Sequence, residues 1–180
     1  MSSPPDIILE TSDLITAFVG LGANLPSSYG APLATLKAVI NRLKADYARL
    51  VCSSFYRTEA VDCAAGTPDF INAVIAIYCD LDHRASDLMG YLQELEEDFG
   101  RIKANNGNAS RPLDLDILWF GNFRVSSESL TIPHPRAAKR RFVMQPLVEI
   151  APQIILPGQT QTAKDLLNKL PLAPKVNRIS

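Results

Sequence analysis

The order in which the hydrophobic period changes along this chain constrains its fold more than any other feature. Leu14 to Leu21 is a short apolar run of strand length, and it ends in Gly20-Leu-Gly-Ala-Asn24. From Pro32, the residues Leu33, Leu36, Ile40 and Leu43 recur at helical spacing, with Lys37, Asn41 and Lys44 elsewhere on the surface. Leu50 to Arg57 reads as a strand. After a turn-rich loop from Glu59 to Pro68, Ile71, Ala73, Ile75, Ile77 and Cys79 alternate on one strand face. A second helical stripe, Leu88, Leu92, Leu95 and Phe99, runs from about Arg84, and Gly100 stands where a C′ glycine ends a helix. The segment Ser110–Gly121 alternates again. Strand, helix, strand, strand, helix, strand predicts a βαββαβ arrangement with both helices on one face of a mainly antiparallel sheet.

With 180 residues, 47% of them hydrophobic, the chain has the size of a single domain with a sizeable core. That domain is expected over residues 14–180, preceded by a loose polar leader over 1–13. A formal net charge of −1 gives no global case for nucleic acid or a membrane surface. Between Phe99 and Arg141, however, eight Lys/Arg stand against three Asp/Glu, a local excess suited to a polyphosphate or to a solvated surface. Cys52, Cys63 and Cys79 lack metal-ligand spacing, and an odd count argues against a disulfide framework. No signal-type or membrane-length apolar stretch is present. The expectation is a cytoplasmic, soluble protein whose Cys52 and Cys79 are small core residues.

Within Ser110-Arg-Pro-Leu-Asp-Leu-Asp-Ile-Leu-Trp-Phe-Gly121 two carboxylates, Asp114 and Asp116, follow Arg111 in apolar sequence. On a strand, both acids share a face. They are either polar positions on a solvated face or a divalent-cation site, since Mg²⁺ takes one or two carboxylates plus phosphate oxygens. Leu118 and Phe120 continue the same alternation, which favours a face turning inward. A hairpin turn is expected at Gly121-Asn122. The glycines at 20 and 22, lacking a following Lys-Ser/Thr, read as a tight turn rather than a phosphate loop. His134, between two prolines, has a restrained backbone. Arg140 precedes Phe142 closely, and Arg141 reads as surface charge. Gln93 and Glu96 are neighbours on one helix surface. Asn72 falls opposite the Ile71/Ile75/Ile77 row, where a buried amide needs partners and could read a heterocycle edge. The stretch Ala104–Ser110 reads as a mobile loop, and a weak helix is expected near Ala163–Leu170.

With these residues in place, the chain resembles the 6-hydroxymethyl-7,8-dihydropterin pyrophosphokinase family from about Ala17 to Pro157. The resemblance rests on Gly22-Ala-Asn24, Ser53-Ser-Phe-Tyr-Arg-Thr58, Pro68-Asp-Phe-Ile-Asn-Ala73, Arg111-Pro-Leu-Asp-Leu-Asp-Ile117, and Ile132-Pro-His-Pro-Arg136 followed by Arg140-Arg-Phe142. It implies an α+β, ferredoxin-like core with a C-terminal extension, and transfer of pyrophosphate from ATP to the pterin hydroxymethyl oxygen with release of AMP, in folate biosynthesis. It implies two Mg²⁺ ions on Asp114 and Asp116, with Arg101 and Arg111 on the phosphates and both arginines and both acids counted as catalytic. Gln93, Glu96, Lys103, Arg111, Ile117, Thr131, His134 and Arg140 would lie around ATP. Thr58, Ala60, Val61, Phe70, Asn72 and Phe142 would hold the pterin, with the two phenylalanines clamping its ring. The substrates are then two small molecules, with no nucleic acid or membrane partner, and the protein is expected to be a monomer. The sequence departs from the family pattern at Lys103, where an arginine is usual, and in lacking a tryptophan in that loop. Rival readings are a phosphotransferase on another pterin alcohol, a binding homologue with weakened catalysis, and a ferredoxin-like RNA-binding module; the last is disfavoured because the strands lack a basic, aromatic surface motif.

Overall fold

The computed structural model describes residues 7, 9–11, 13–60, 66–101 and 110–179. Its elements follow the expected order through the first two-thirds of the chain: β1 (Leu14–Ala23), α1 (Pro32–Asp46), β2 (Leu50–Cys52), β3 (Phe55–Thr58), β4 (Phe70–Asp80), α2 (Ala85–Asp98) and β5 (Asp114–Phe120). There follow the short strands β6 (Val125–Ser126) and β7 (Thr131–Ile132), a 3-10 turn (Ala137–Lys139), α3 (Arg141–Ile150), α4 (Ala163–Lys169) and β8 (Val176–Ile179). The main sheet runs β5-β1-β4-β3-β8, with β2 also on β4, and its pairings among the described residues are antiparallel. This is the ferredoxin-like βαββαβ order, with β1 and β4 central.

The two helical stripes behave as their spacing dictates. Leu36, Ile40 and Leu43 of α1, and Leu88, Leu92 and Leu95 of α2 with Phe99 behind them, pack on Val19, Leu21, Ile75, Ile77 and Ile117 in one core. Pro32 opens α1, where its missing N–H costs nothing. Gly100, at φ +90°, ends α2: its N–H reaches Glu97 O (3.0 Å) and the Arg101 N–H reaches Glu96 O (2.8 Å), a Schellman closure.

The sheet's other face carries a second core that the sequence reading did not anticipate. Val143, Met144, Leu147 and Ile150 of α3 cover Phe18, Val74, Ala76, Leu118 and Trp119. The stretch read only as a basic cluster is therefore the head of an amphipathic helix. Arg141 in it is not idle surface charge, because its guanidinium donates to the carbonyls of Leu170 (3.2 Å), Pro171 (3.4 Å) and Leu167 (3.5 Å), at the negative end of α4. Ile7 is buried in the same core and Leu9 packs on it, so these leader residues are held rather than loose.

Other expectations shift by local geometry. Gly20 and Gly22 are strand residues of β1, not a turn. The strand expected over 50–57 breaks at Ser53-Ser54, where Ser53 takes the β4 ladder partner twice: its N–H donates to Val74 O and its hydroxyl accepts from Val74 N, both 3.0 Å. A bulge between β1 and β5 pairs Phe18 with Trp119 but Val19 with Ile117, leaving Leu118 extra. That changes the phase of β5. Leu118 keeps to the acid face, whereas Phe120 joins the first core with Ile117. Gly121 does turn, at φ +48°, but the hairpin that forms is β6–β7, closed between Ser127 N–H and Leu130 O (2.9 Å). β8, unforeseen, adds an edge to β3. No helix among the described residues is long and apolar enough to cross a membrane.

Candidate active site

Residues paired across an antiparallel sheet project from the same face. The register places Tyr56, Asn72, Gly22 and Asp114 in one row across four strands, and Val74, Gly20 and Asp116 in the next across three. Each row has a glycine between its β4 and β5 members. A Cβ on Gly22 would stand 3.3 Å from Asn72 Oδ1, and one on Gly20 3.3 Å from Leu118 Cδ2. The glycines thus put no side chain between an amide and a pair of carboxylates on the second sheet face, a trough that Leu118 lines over Gly20 while Gly22 lies buried at its floor. Downstream, α3 covers the same face, beginning beside Arg140 and Phe142.

Charge is concentrated on the β5 side. Asp114 Oδ1 accepts from Arg111 Nη1 (2.6 Å) and Arg101 Nη1 (3.2 Å). Arg101 also bonds the carboxylate of Glu96, which is 5% exposed and accepts the Leu115 N–H at 2.7 Å. Burial pushes the Glu96 carboxyl up to about 7, against the pull of Leu115 N–H and Arg101. Among the described residues, Asp116 has no such direct cationic contact. Burial and the neighbouring Asp114 charge raise its carboxyl to about 6, with Arg140, Arg111 and Arg101 opposing. Two hard oxygen donors on one face, one of them poorly compensated, fit Mg²⁺. No cluster of three or more His, Cys, Asp or Glu suited to a metal occurs among the described residues.

His134 is fixed by main-chain bonds: its N–H donates to Leu118 O (2.9 Å) at the bulge, and its Nδ1 accepts from Arg136 N (3.2 Å). This bond directs the imidazole to carry its proton on Nε2. Burial, and then Arg140 and Arg136, hold its pKa below the ordinary histidine value. Arg140 is itself lowered, by burial and then by Arg136, and its guanidinium lies 5.4 Å from the Phe142 ring centre. This end of the trough is cationic and carries a proton donor, matching an anionic ligand.

The opposite end is uncharged. Asn72 donates to the Thr58 hydroxyl, and both are buried. Phe70, paired with Thr58, is half-buried, as are Ala60 and Phe142. Asn24 joins the two ends: its Nδ2 donates to Ser110 Oγ (3.1 Å) and Pro68 O (3.4 Å), while its Oδ1 accepts from Arg111 N (2.8 Å). One buried amide therefore links the loop before β4 to the arginine before β5. Its place after Gly-Leu-Gly-Ala gave no hint of this, because the partners are distant in sequence.

The fold thus brings Thr58, Phe70, Asn72, Asp114, Asp116, Arg101, Arg111, His134, Arg140 and Phe142 to one end and face of the sheet or its rim. It does not bring in the Ile117 side chain, which lies in the first core, or leave Glu96 open to a ligand. Gln93 is exposed on α2 and lines a groove of about 480 Å³ with Met89, Phe120 and Leu130. Thr131 is exposed on β7. Val61 and Lys103 lie outside the described residues, as do residues 104–109 of the loop expected to be mobile over 104–110. The glycine row, Asn24 and the inward role of Glu96 are the parts that sequence reasoning missed. Alternation of Gly20 and Gly22 was the one available signal, pointing to a strand face kept bare.

Known proteins resemble this chain in sequence and in fold. Curated relatives include the 2-amino-4-hydroxy-6-hydroxymethyldihydropteridine pyrophosphokinases of Haemophilus influenzae, 38% identical over 145 residues (81% of this chain, 87% of the relative), and of Synechocystis, 34% identical over 166 residues (88% and 80%). The folate synthesis bifunctional protein of Arabidopsis thaliana is 35% identical over 144 residues, which are 79% of this chain but 28% of that protein. In structure, the Plasmodium falciparum HPPK-DHPS crystallised with pteroate superposes with a TM-score of 0.65 at 13% identity. That match covers 90% of this chain and 46% of the Plasmodium chain, and it is a likeness of fold. Residues 18–152 match the family described as 7,8-dihydro-6-hydroxymethylpterin-pyrophosphokinase, and with two near-full-length relatives of that name, the chain belongs to this family.

Proposed function

We propose that this chain transfers the terminal pyrophosphoryl group of ATP to the hydroxymethyl oxygen of 6-hydroxymethyl-7,8-dihydropterin, releasing AMP, as a step of folate biosynthesis. The observation that carries the reading is the row Asn72–Gly22–Asp114, which sets an amide for a heterocycle edge and a carboxylate for a metal on either side of a bare glycine. Asp114 and Asp116 would hold two Mg²⁺ ions, which supply charge neutralisation of the polyphosphate and acidify the accepting alcohol.

The protein's own groups do the positioning. Asn72, with Thr58 fixing its amide, would bond the polar edge of the pterin, and Phe70 and Phe142 would take its ring faces. Val61 and Ala60 complete that pocket by family likeness. Arg101 and Arg111 would turn from Asp114 to phosphate oxygens, with Lys103, His134 Nε2–H and Arg140 adding donors along the chain of phosphates. β5 is an edge strand, and Leu115 presents its N–H outward to Glu96; Ile117, two residues on, turns its main-chain groups the same way. Its contribution would be that main-chain edge, with Thr131 and Gln93 nearby on the rim, reading the nucleotide base. In the transfer, the hydroxymethyl oxygen forms a bond to Pβ as the bond from Pβ to the α,β-bridging oxygen breaks. AMP keeps that oxygen, and the alcohol proton passes to solvent. Catalysis is then positioning and charge stabilisation, with no protein base required.

The test is product identity. Incubated with Mg²⁺, ATP and 6-hydroxymethyl-7,8-dihydropterin, the protein is expected to yield AMP and a pterin diphosphate. ADP as the nucleotide product would overturn the reading, and tight pterin binding without turnover would mark a binding protein instead.

A further inference from the structure

Asp114 has a difficulty that the acid pair alone does not resolve. Two guanidiniums donate to the same oxygen of this carboxylate, Arg111 at 2.6 Å and Arg101 at 3.2 Å. A carboxylate so engaged is a weakened ligand for a cation, because each bond withdraws lone-pair density and the positive charges repel the ion. One of the two arginines is shared. Arg101 also pairs with Glu96, whose side chain is 7% exposed against 30% for that of Asp114. The Schellman closure of α2 at Gly100 leads the chain back so that Arg101 sits within reach of both acids. The same Glu96 oxygen accepts the N–H of Leu115, the residue between Asp114 and Asp116.

From this geometry we infer that Glu96 is a positioning residue that competes with Asp114 for Arg101, keeping that carboxylate available to a divalent cation, rather than a group that contacts the nucleotide. The inference rests on the metal role of Asp114 and Asp116 proposed above, and it deepens it. Ionised, Glu96 acts as a counter-charge: Arg101 divides its charge between Glu96 and Asp114, so less of it opposes a cation at Asp114. Its bond to Leu115 fixes the edge of β5 between the two acids at the same time. When phosphate enters, Arg101 exchanges its weaker contact with Asp114 for phosphate oxygens while Glu96 retains its hold. Glu96 itself stays under the strand.

Glu96→Gln separates these effects, since an amide oxygen still accepts the Leu115 N–H but carries no charge for Arg101. Binding of Mn²⁺ as a probe, without nucleotide, is measured from the electron paramagnetic resonance signal of the free ion. Glu96→Gln is expected to weaken Mn²⁺ binding about tenfold, the effect of one redirected charge-assisted contact, with a circular dichroism spectrum like that of the parent. Adding Arg101→Gln to Glu96→Gln is expected to restore the affinity, a reversal that a purely structural role for Glu96 would not produce. Parent-like Mn²⁺ affinity in Glu96→Gln overturns the counter-charge role and leaves the metal site standing. Failure of the double variant to recover does the same. A parent protein that binds no Mn²⁺ overturns the metal reading and the inference with it.

Discussion

Asp114 and Asp116 stand two residues apart on one strand face, yet their surroundings differ. The first is held by two arginines, whereas the second is pushed up to about 6 by burial and by its neighbour's charge. Removing the charge of Asp116 therefore relieves a repulsion in the metal-free protein while taking away a ligand. Asp116→Asn is expected to lower Mg²⁺-dependent AMP release by at least about a thousandfold, with a melting temperature equal to or above that of the parent. A variant that keeps near-parental turnover would refute the ligand role. Gly22 makes the complementary case, because it lacks a side chain where one would fill the trough, 3.3 Å from Asn72 Oδ1. Gly22→Ala is expected to fold, with a stability loss near 1 kcal/mol from crowding, and to weaken pterin binding about tenfold in calorimetric titration; parental affinity would mean that the trough is not where the ring sits. Alternation put the acids and Asn72 on their strand faces in the sequence, and Arg111 stood out by its place just ahead of the acids. The meaning of Gly20 and Gly22 was not, because a glycine in a strand and one in a turn look alike until the partner strands are known.

Elements place these residues through a few joints. At the end of α2, Gly100 holds φ +90°, a conformation that costs an L-residue about 1 kcal/mol. Gly100→Ala is expected to lower stability by roughly that amount, and to reduce kcat more than the pterin KM because Arg101 leaves its position; a uniform loss in both would place the joint outside catalysis. The second joint is Glu149 on α3. It accepts from Ser54 Oγ (2.7 Å), Tyr56 Oη (2.8 Å) and Ser54 N (2.9 Å), and pairs with Arg178 of β8 at 3.3 Å. Burial alone would raise this carboxyl, but the hydrogen bonds of Ser54 and Tyr56 outweigh it and hold the group below the ordinary glutamate value. A depressed folded pKa means that the stabilisation is present above the unfolded value, about 4.3, and is lost as pH falls through the lower folded one. Glu149→Gln is thus expected to cost about 2 kcal/mol at neutral pH, with the gap to the parent closing below about pH 4 in chemical denaturation. A gap independent of pH would exclude the charge. The helical stripes of α1 and α2 and the C′ glycine could be read directly from spacing. α3 could not, because its first turn is basic and its apolar side becomes meaningful only against Phe18 and Trp119.

At the scale of the whole molecule, a six-stranded sheet lies between two layers, and the row of Asn72, Gly22 and Asp114 lies on the second face, on which α3 packs. Beyond the core pattern, β8 closes the sheet against β3, pairing Phe55 with Ile179 and Thr58 with Val176. A chain ending at Lys175 is expected to fold but to melt several degrees lower, having lost one ladder and the Arg178 contact, and to bind pterin more weakly because Thr58 sits on the freed edge. Unchanged pterin affinity would show that β8 serves stability alone. The sequence by itself determined the βαββαβ order, the two helix faces of the first core and the kinds of residue at the site, because period, caps and motifs are written within a few turns of chain. Only the tertiary structure decided which face Phe120 takes after the bulge, that two glycines lie between Asn72 and the acids, that Asn24 reaches Arg111 across 87 positions, and that Glu96 turns inward. Those outcomes depend on register and on charges brought together from distant segments, and no local pattern records them.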